Sequence, residues 1–179
     1  CAAHVLSDKA QVAQAFALVR AFGAPYSVSM LEIDAVGMYD TAAETMGKVF
    51  VTTELGGGGT ASARTADLAI RGCRNLLMAA GVVKGSPEPQ PTQWLDMPDG
   101  DCFTFAEEGG LIRFLADLGD TVESGQAIAQ IYPTGRTGLD PVTLRVRRSG
   151  LFTARHFPGL VKPGDCVAVI ADLVVEGGS

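Results

Sequence analysis

The sequence predicts an α/β domain followed by an all-β domain. Three observations predict it. A β-branched segment, residues 48–53, runs through four consecutive glycines, Gly56–Gly59, into a helical pattern. A polar stretch, residues 85–98, carries Pro87, Pro89, Pro91 and Pro98 and reads as a linker. Beyond it lie short alternating segments with Gly and Pro turns and no long helical pattern. The expected domains are therefore 1–84, then the 85–98 linker, then 99–179 as a β-sandwich or barrel. With 179 residues, 47% of them apolar, the chain is long and apolar enough to form such cores.

Taken in order, Ser7 and Asp8 are expected to cap a first helix. Val12, Phe16 and Val19, with Ala15, Leu18 and Phe22, recur at helical spacing, and Gly23 with Pro25 ends the helix. Residues 26–33 read as a strand. The segment Asp40-Thr41-Ala42-Ala43-Glu44 has the form of a capping box. Residues 48–53 are expected to be a strand in the middle of a sheet. A long helix is expected over 60–80, with Ala69, Cys73, Leu76, Leu77 and Ala80 as its apolar face.

The second half contains an internal repeat. Residues 122–131 match residues 161–170 in the pattern V-x-x-G-[QD]-x-[IV]-A-x-I, and each copy follows a Gly-Leu pair, Gly110-Leu111 or Gly150-Leu151. A turn that needs glycine, followed by a strand with alternate burial, can pack against its own duplicate. The pattern resembles the biotinyl/lipoyl barrel-sandwich hybrid. Such carrier domains present a lysine between the two copies. Residues 132–140 contain none, so a carrier role is excluded.

The formal charge of −6 and the lack of Lys/Arg runs argue against nucleic-acid binding. No apolar run is long enough to span a membrane, no signal peptide is legible, and a cytoplasmic location is expected. The four cysteines, Cys1, Cys73, Cys102 and Cys166, are too scattered for a zinc knuckle or a disulfide framework. Cys1 could serve as an N-terminal nucleophile with its own amine as base, but such a residue should begin a well-formed strand, and residues 2–6 do not read as one. The missing Met reads as truncation.

Glu54 is the candidate catalytic residue. It stands at the end of the expected strand, where α/β folds bind ligands, beside glycines that let a substrate approach the backbone. Partial burial is expected there, the setting that tunes carboxylates for proton transfer. The structural rival is a Glu that caps the next helix or pairs with Arg64 or Arg71. The Walker phosphate pattern fails, because no Gly-Lys-Ser/Thr follows the glycines; a G-x-G-x-x-A reading at Gly56, Gly58 and Ala61 is only a weak dinucleotide signal, because no acid sits about twenty positions later where a ribose would need it. His4 and His156 are the only histidines, and no metal-ligand spacing surrounds them.

The segment Gly47-Lys48-Val49-Phe50-Val51-Thr52-Thr53-Glu54-Leu55-Gly56-Gly57-Gly58-Gly59 resembles the catalytic-glutamate segment of the succinylglutamate desuccinylase/aspartoacylase family. Residues 24–26, 37–42 and 159–166 support the likeness, which is nearest to the N-acetyl-diaminobutyrate deacetylase branch. The resemblance implies a partial zinc-carboxypeptidase-like sheet with flanking helices, then an added β domain. It implies a zinc-dependent deacylase acting on the amide of a small N-acyl amino acid, with Glu54 as general base and acid. The family's zinc ligands precede this region, so no metal ligand is expected in this chain. The chain alone is expected to be inactive and, with uncovered sheet edges, to self-associate. The rival function is a non-catalytic interaction protein using the β domain and the glycine loop.

Overall fold

Fourteen residues with a buried apolar stripe form the first helix, α1 (Lys9–Phe22). In the computed structural model, which describes residues 2–4, 9–31, 37–135 and 137–174, Gln11, Ala15, Val19 and Phe22 face inward. Ser7 and Asp8, the expected cap, lie outside the described residues, as do Cys1 and the last residues of the expected 26–33 strand. Gly23 ends the helix at φ +69, and a side chain there would strike the backbone of Gln90 at 2.6 Å.

The chain divides into two compact units, Cys1–Asp96 with Val174–Ser179, and Met97–Leu173. The first is mixed α/β. Its strands β1 (Ala2–His4), β2 (Tyr26–Met30) and β3 (Gln93–Asp96) form a parallel array with β2 in the middle. Residues 2–4 are thus a strand, contrary to expectation: a short alanine-rich segment carries little β signal, and pairing with β2 supplies it. β3 comes from the proline-rich stretch. It delivers Trp94, which packs with Val19, Phe16 and Val51, its ring 5.3 Å from that of Phe16.

The helices α2 (Tyr39–Thr45) and α3 (Ala63–Ala79) complete this unit. α2 begins earlier than expected. Met38 is its N-cap and no side chain caps it, so the Thr41/Glu44 capping box is not formed. Instead the Asp40 carboxylate takes the Thr41 N–H. The expected strand over 48–53 is also absent, and only Thr52 makes an isolated bridge. A β-branched segment becomes a strand only where a neighbouring backbone offers a ladder of donors and acceptors, and none of the described neighbours does so here.

The inward face of α3 overlaps the expected one at Ala69 and Leu76, both half-buried, but is rotated away from Cys73, Leu77 and Ala80. Gly72, Asn75, Leu68 and Leu76 are covered, whereas Cys73 and Leu77 are exposed. Two residues that no hydrophobicity rule would choose explain the shift. Asn75 is buried because its Oδ1 accepts the Glu88 N–H. Gly72 is buried because the Phe22 ring occupies the place of its missing side chain: a Cβ there would lie 2.4 Å from the ring. Gly72→Ala is therefore expected to destabilise the chain by about 1–3 kcal/mol, because the buried ring must shift. Urea denaturation should show the loss, and adding Phe22→Leu should recover part of it.

The second unit, in chain order, holds a 3-10 turn (Gly100–Cys102), β4 (Phe103–Phe105), β5 (Gly110–Phe114), β6 (Thr121–Val122), β7 (Ala127–Tyr132), β8 (Val142–Arg145), β9 (Gly150–Arg155), β10 (Leu160–Val161) and β11 (Cys166–Leu173). The two sequence copies occupy equivalent places. β5 pairs with β7, and β9 with β11, all antiparallel. The short middle strands cross over: β6 joins β9 and β10 joins β5, in matching register. The pattern shared by the two copies acts through the same contacts. Gln126 takes the Glu123 N–H at 2.9 Å and Asp165 takes the Lys162 N–H at 2.8 Å, around Gly125 and Gly164 at φ +83 and +90. One apolar core serves both copies, with Val122, Ile128 and Ile131 from the first and Val161, Val167 and Ile170 from the second.

A charged clamp closes one margin of this unit. Arg148 donates to Asp172 at 2.8 Å and to both oxygens of Asp99 at 3.0 and 3.1 Å. The Asp172 hydrogen bond holds the guanidinium still more firmly protonated than usual. Nearby Cys102 is buried, and burial pushes its thiol pKa up.

Candidate functional site

Glu54 sits on an extended segment that ends in the glycine run. Gly56, Gly58 and Gly59 all have positive φ, at +99, +62 and +66. These residues are therefore needed for the path of the backbone as well as for open approach. The loop closes on itself where Thr60 donates through both its N–H and its hydroxyl to the Gly57 carbonyl. It then enters α3 through a reciprocal cap: the Ser62 hydroxyl takes the Thr65 N–H, and the Thr65 hydroxyl takes the Ser62 N–H.

That cap removes one structural role from Glu54. The N-terminus of α3 is satisfied by Ser62, so the carboxylate is not its cap. The other role fails too: among the described residues Glu54 forms no ion pair with Arg64 or Arg71. The side chain is exposed, not half-buried as expected, because the glycines beside it offer nothing to cover it.

Glu54 opens onto a cavity of about 210 Å³ walled by Pro25, Tyr26, Thr53, Leu55, Arg64 and Leu68. Thr53 Oγ1 is buried there without a hydrogen-bond partner. Among the lining residues Glu54 and Arg64 carry charge, and most of the others are apolar. A small polar molecule could meet these charged residues. Tyr26 and Thr53 lie in segments that carry the family resemblance, but the sequence gives neither a role at the site. They come from segments far apart or ordinary in composition, and only the fold brings them together.

The described residues do not make up a zinc site. Among the described residues no three His, Cys, Asp or Glu side chains converge. His156 is taken up inside the second unit, with Nε2 3.3 Å from the Leu160 carbonyl and 3.8 Å from Asp165. His4 ends β1, opposite Met30. Among the described residues no helix is long and apolar enough to cross a membrane.

Comparison with known proteins gives these features a context. A family profile described as the succinylglutamate desuccinylase/aspartoacylase catalytic domain matches residues 1–80. The N-alpha-acetyl-L-2,4-diaminobutyric acid deacetylase of Halomonas elongata is 45% identical over 179 residues, which is 99% of this chain and 52% of that protein. The product-bound structure of the ectoine utilization protein EutE (DoeB) from Ruegeria pomeroyi is 55% identical and superposes with a TM-score of 0.89, covering 96% of this chain and 52% of its own. A succinylglutamate desuccinylase structure from a Silicibacter species is 51% identical with a TM-score of 0.87, over 97% of this chain and 53% of its own. The chain thus spans about half the length of the relatives it matches. Residues 1–80 thus match the catalytic domain of the succinylglutamate desuccinylase/aspartoacylase family, and the chain as a whole is similar to about half of each of these relatives.

Proposed function

We propose that this chain is part of a cytoplasmic deacylase that hydrolyses the amide bond of a small N-acyl amino acid, N-acetyl-diaminobutyrate or a close analogue, with Glu54 moving the proton. The observation that carries this reading is the state of Glu54. It is an exposed carboxylate at the mouth of a polar-tipped cavity, engaged neither in a helix cap nor in an ion pair among the described residues. The printed name of the Halomonas relative supplies the substrate class.

In this reading a water oxygen attacks the acyl carbonyl carbon and Glu54 takes its proton. The carbon–nitrogen bond then breaks, and Glu54 returns the proton to the leaving nitrogen, giving a carboxylic acid and a free amine. Arg64 lines the same cavity and is the residue proposed to meet a polar end of the substrate. Zinc belongs to this reading only through the family resemblance. The described residues do not assemble a ligand set, so no step here passes through a metal, and the chain alone is inactive. The Met97–Leu173 unit is, in the same proposal, a barrel-sandwich-type accessory domain without a carrier lysine.

The test is amine release from N-acetyl-diaminobutyrate by a polypeptide of the relatives' full length that carries this sequence. Release by that polypeptide and none by the 179-residue chain is expected. No release by the longer polypeptide would leave the non-catalytic interaction protein as the better account.

A further inference from the structure

We propose that the uncovered apolar flank of α3 binds the same helix of a second copy of this chain, antiparallel, about a two-fold axis between Arg71 and Gly72. The helix has three sides. Leu68, Gly72, Asn75 and Leu76 face inward. Arg64, Asp67, Arg71 and Arg74 form a charged flank. Ala63, Ala66, Ile70, Cys73 and Leu77, continued by Ala80 at the C-cap, form an exposed flank with no charge in it. Ile70 is 69% exposed and Leu77 45%. A helix that only met water on this side would not place its largest exposed aliphatic residues there in a row.

The spacing of that row is 3-4-3-4-3, the seam of a helix pair rather than the broader stripe of a helix lying on a sheet. Laid against its own copy in the antiparallel sense, the row is self-complementary. Ile70 meets the partner's Cys73, Ala66 meets the partner's Leu77, and Ala63 meets the partner's Ala80. The alanines at both ends permit close approach of the two helices.

Charge selects the same register. Asp67 and Arg74 border the seam one helical stretch apart, and among the described residues neither forms an ion pair. With the axis between Arg71 and Gly72, Asp67 stands beside the partner's Arg74, and the two-fold makes the contact twice. A parallel pairing would place this flank of the two copies on opposite sides of the seam, and the Asp67–Arg74 contact would not form. Val82 is exposed and folded back onto the Leu77 carbonyl, which extends the apolar surface past the helix end. One helix pair still falls below the ~1,200 Å² of a standard interface, so the association is weak and concentration-dependent.

Sedimentation velocity on the 179-residue chain, from micromolar to millimolar concentration, tests this. A reversible dimer is expected. A short bismaleimide should cross-link it through Cys73, and Cys73→Ser should abolish that product. Ile70→Glu should give a monomer with unchanged helix content by circular dichroism. Asp67→Arg should weaken the dimer roughly threefold to tenfold, as expected for two exposed ion pairs, and adding Arg74→Asp should restore it. A monomer at every concentration, or a dimer that Ile70→Glu leaves intact, overturns the proposal. Failure of the charge swap to restore association overturns the antiparallel register, as would a dimer without the Cys73 cross-link.

Discussion

Glu54→Gln, made in a polypeptide of the relatives' full length, is expected to lower kcat by about 10²–10⁴-fold, the contribution of a positioned general acid-base group. Substrate affinity should change little, because Gln keeps the size and the polarity of the side chain and removes only its capacity to take and return a proton. The folded state should also be unaffected. Glu54 is exposed, Ser62 caps α3 in its place, and no described ion pair depends on it. Steady-state kinetics together with calorimetric binding of the substrate would separate the two effects. A variant with near wild-type kcat would remove the proton-transfer role. A variant that lost binding and turnover together would make Glu54 a substrate contact instead.

Gly110→Ala and Gly150→Ala are expected each to destabilise the second unit by about 3 kcal/mol. The two glycines open the equivalent strands of the repeat. A Cβ on Gly110 would lie 2.3 Å from the Tyr132 carbonyl oxygen, and one on Gly150 2.4 Å from that of Ala171. Both oxygens belong to strands paired with the glycine's own strand, so neither can move without disturbing its ladder. Gly125→Ala supplies the contrast. Nothing lies within 4 Å of its Cβ position, and only the φ of +83 opposes substitution, at about 1 kcal/mol. Urea denaturation followed by circular dichroism gives the magnitudes, and hydrogen exchange at residues 127–132 and 166–173 locates them. Equal losses for Gly110→Ala and Gly125→Ala would show that the close strand approach is not the cause.

Residue by residue, the sequence discloses what local chemistry decides. The duplicated turns were legible because Gln126 and Asp165 act on backbone three residues away, within the pattern itself. α1 was legible from its spacing. The 48–53 segment was misleading because its β-branched residues describe a preference, whereas a strand requires a partner. The inward face of α3 was legible only at Ala69 and Leu76, because the rest depends on Phe22 and Glu88, distant residues that make a glycine and an asparagine the natural occupants of buried sites. The clamp of Arg148 by Asp99 and Asp172 was invisible for the same reason. At the candidate site, Glu54 stood out because glycines flank it. Its exposure and its neighbours Tyr26 and Thr53 emerge only once the chain is folded.

The exchange of β6 and β10 between the two copies has an architectural outcome. Each repeat lends its middle strand to the other's sheet, so neither copy owns a finished set of backbone partners or a closed interior. A duplication of this kind behaves like an interlocked dimer whose subunits happen to share one covalent thread. Its halves must assemble together, through contacts distant along the chain, and neither can serve as a template that waits for the other.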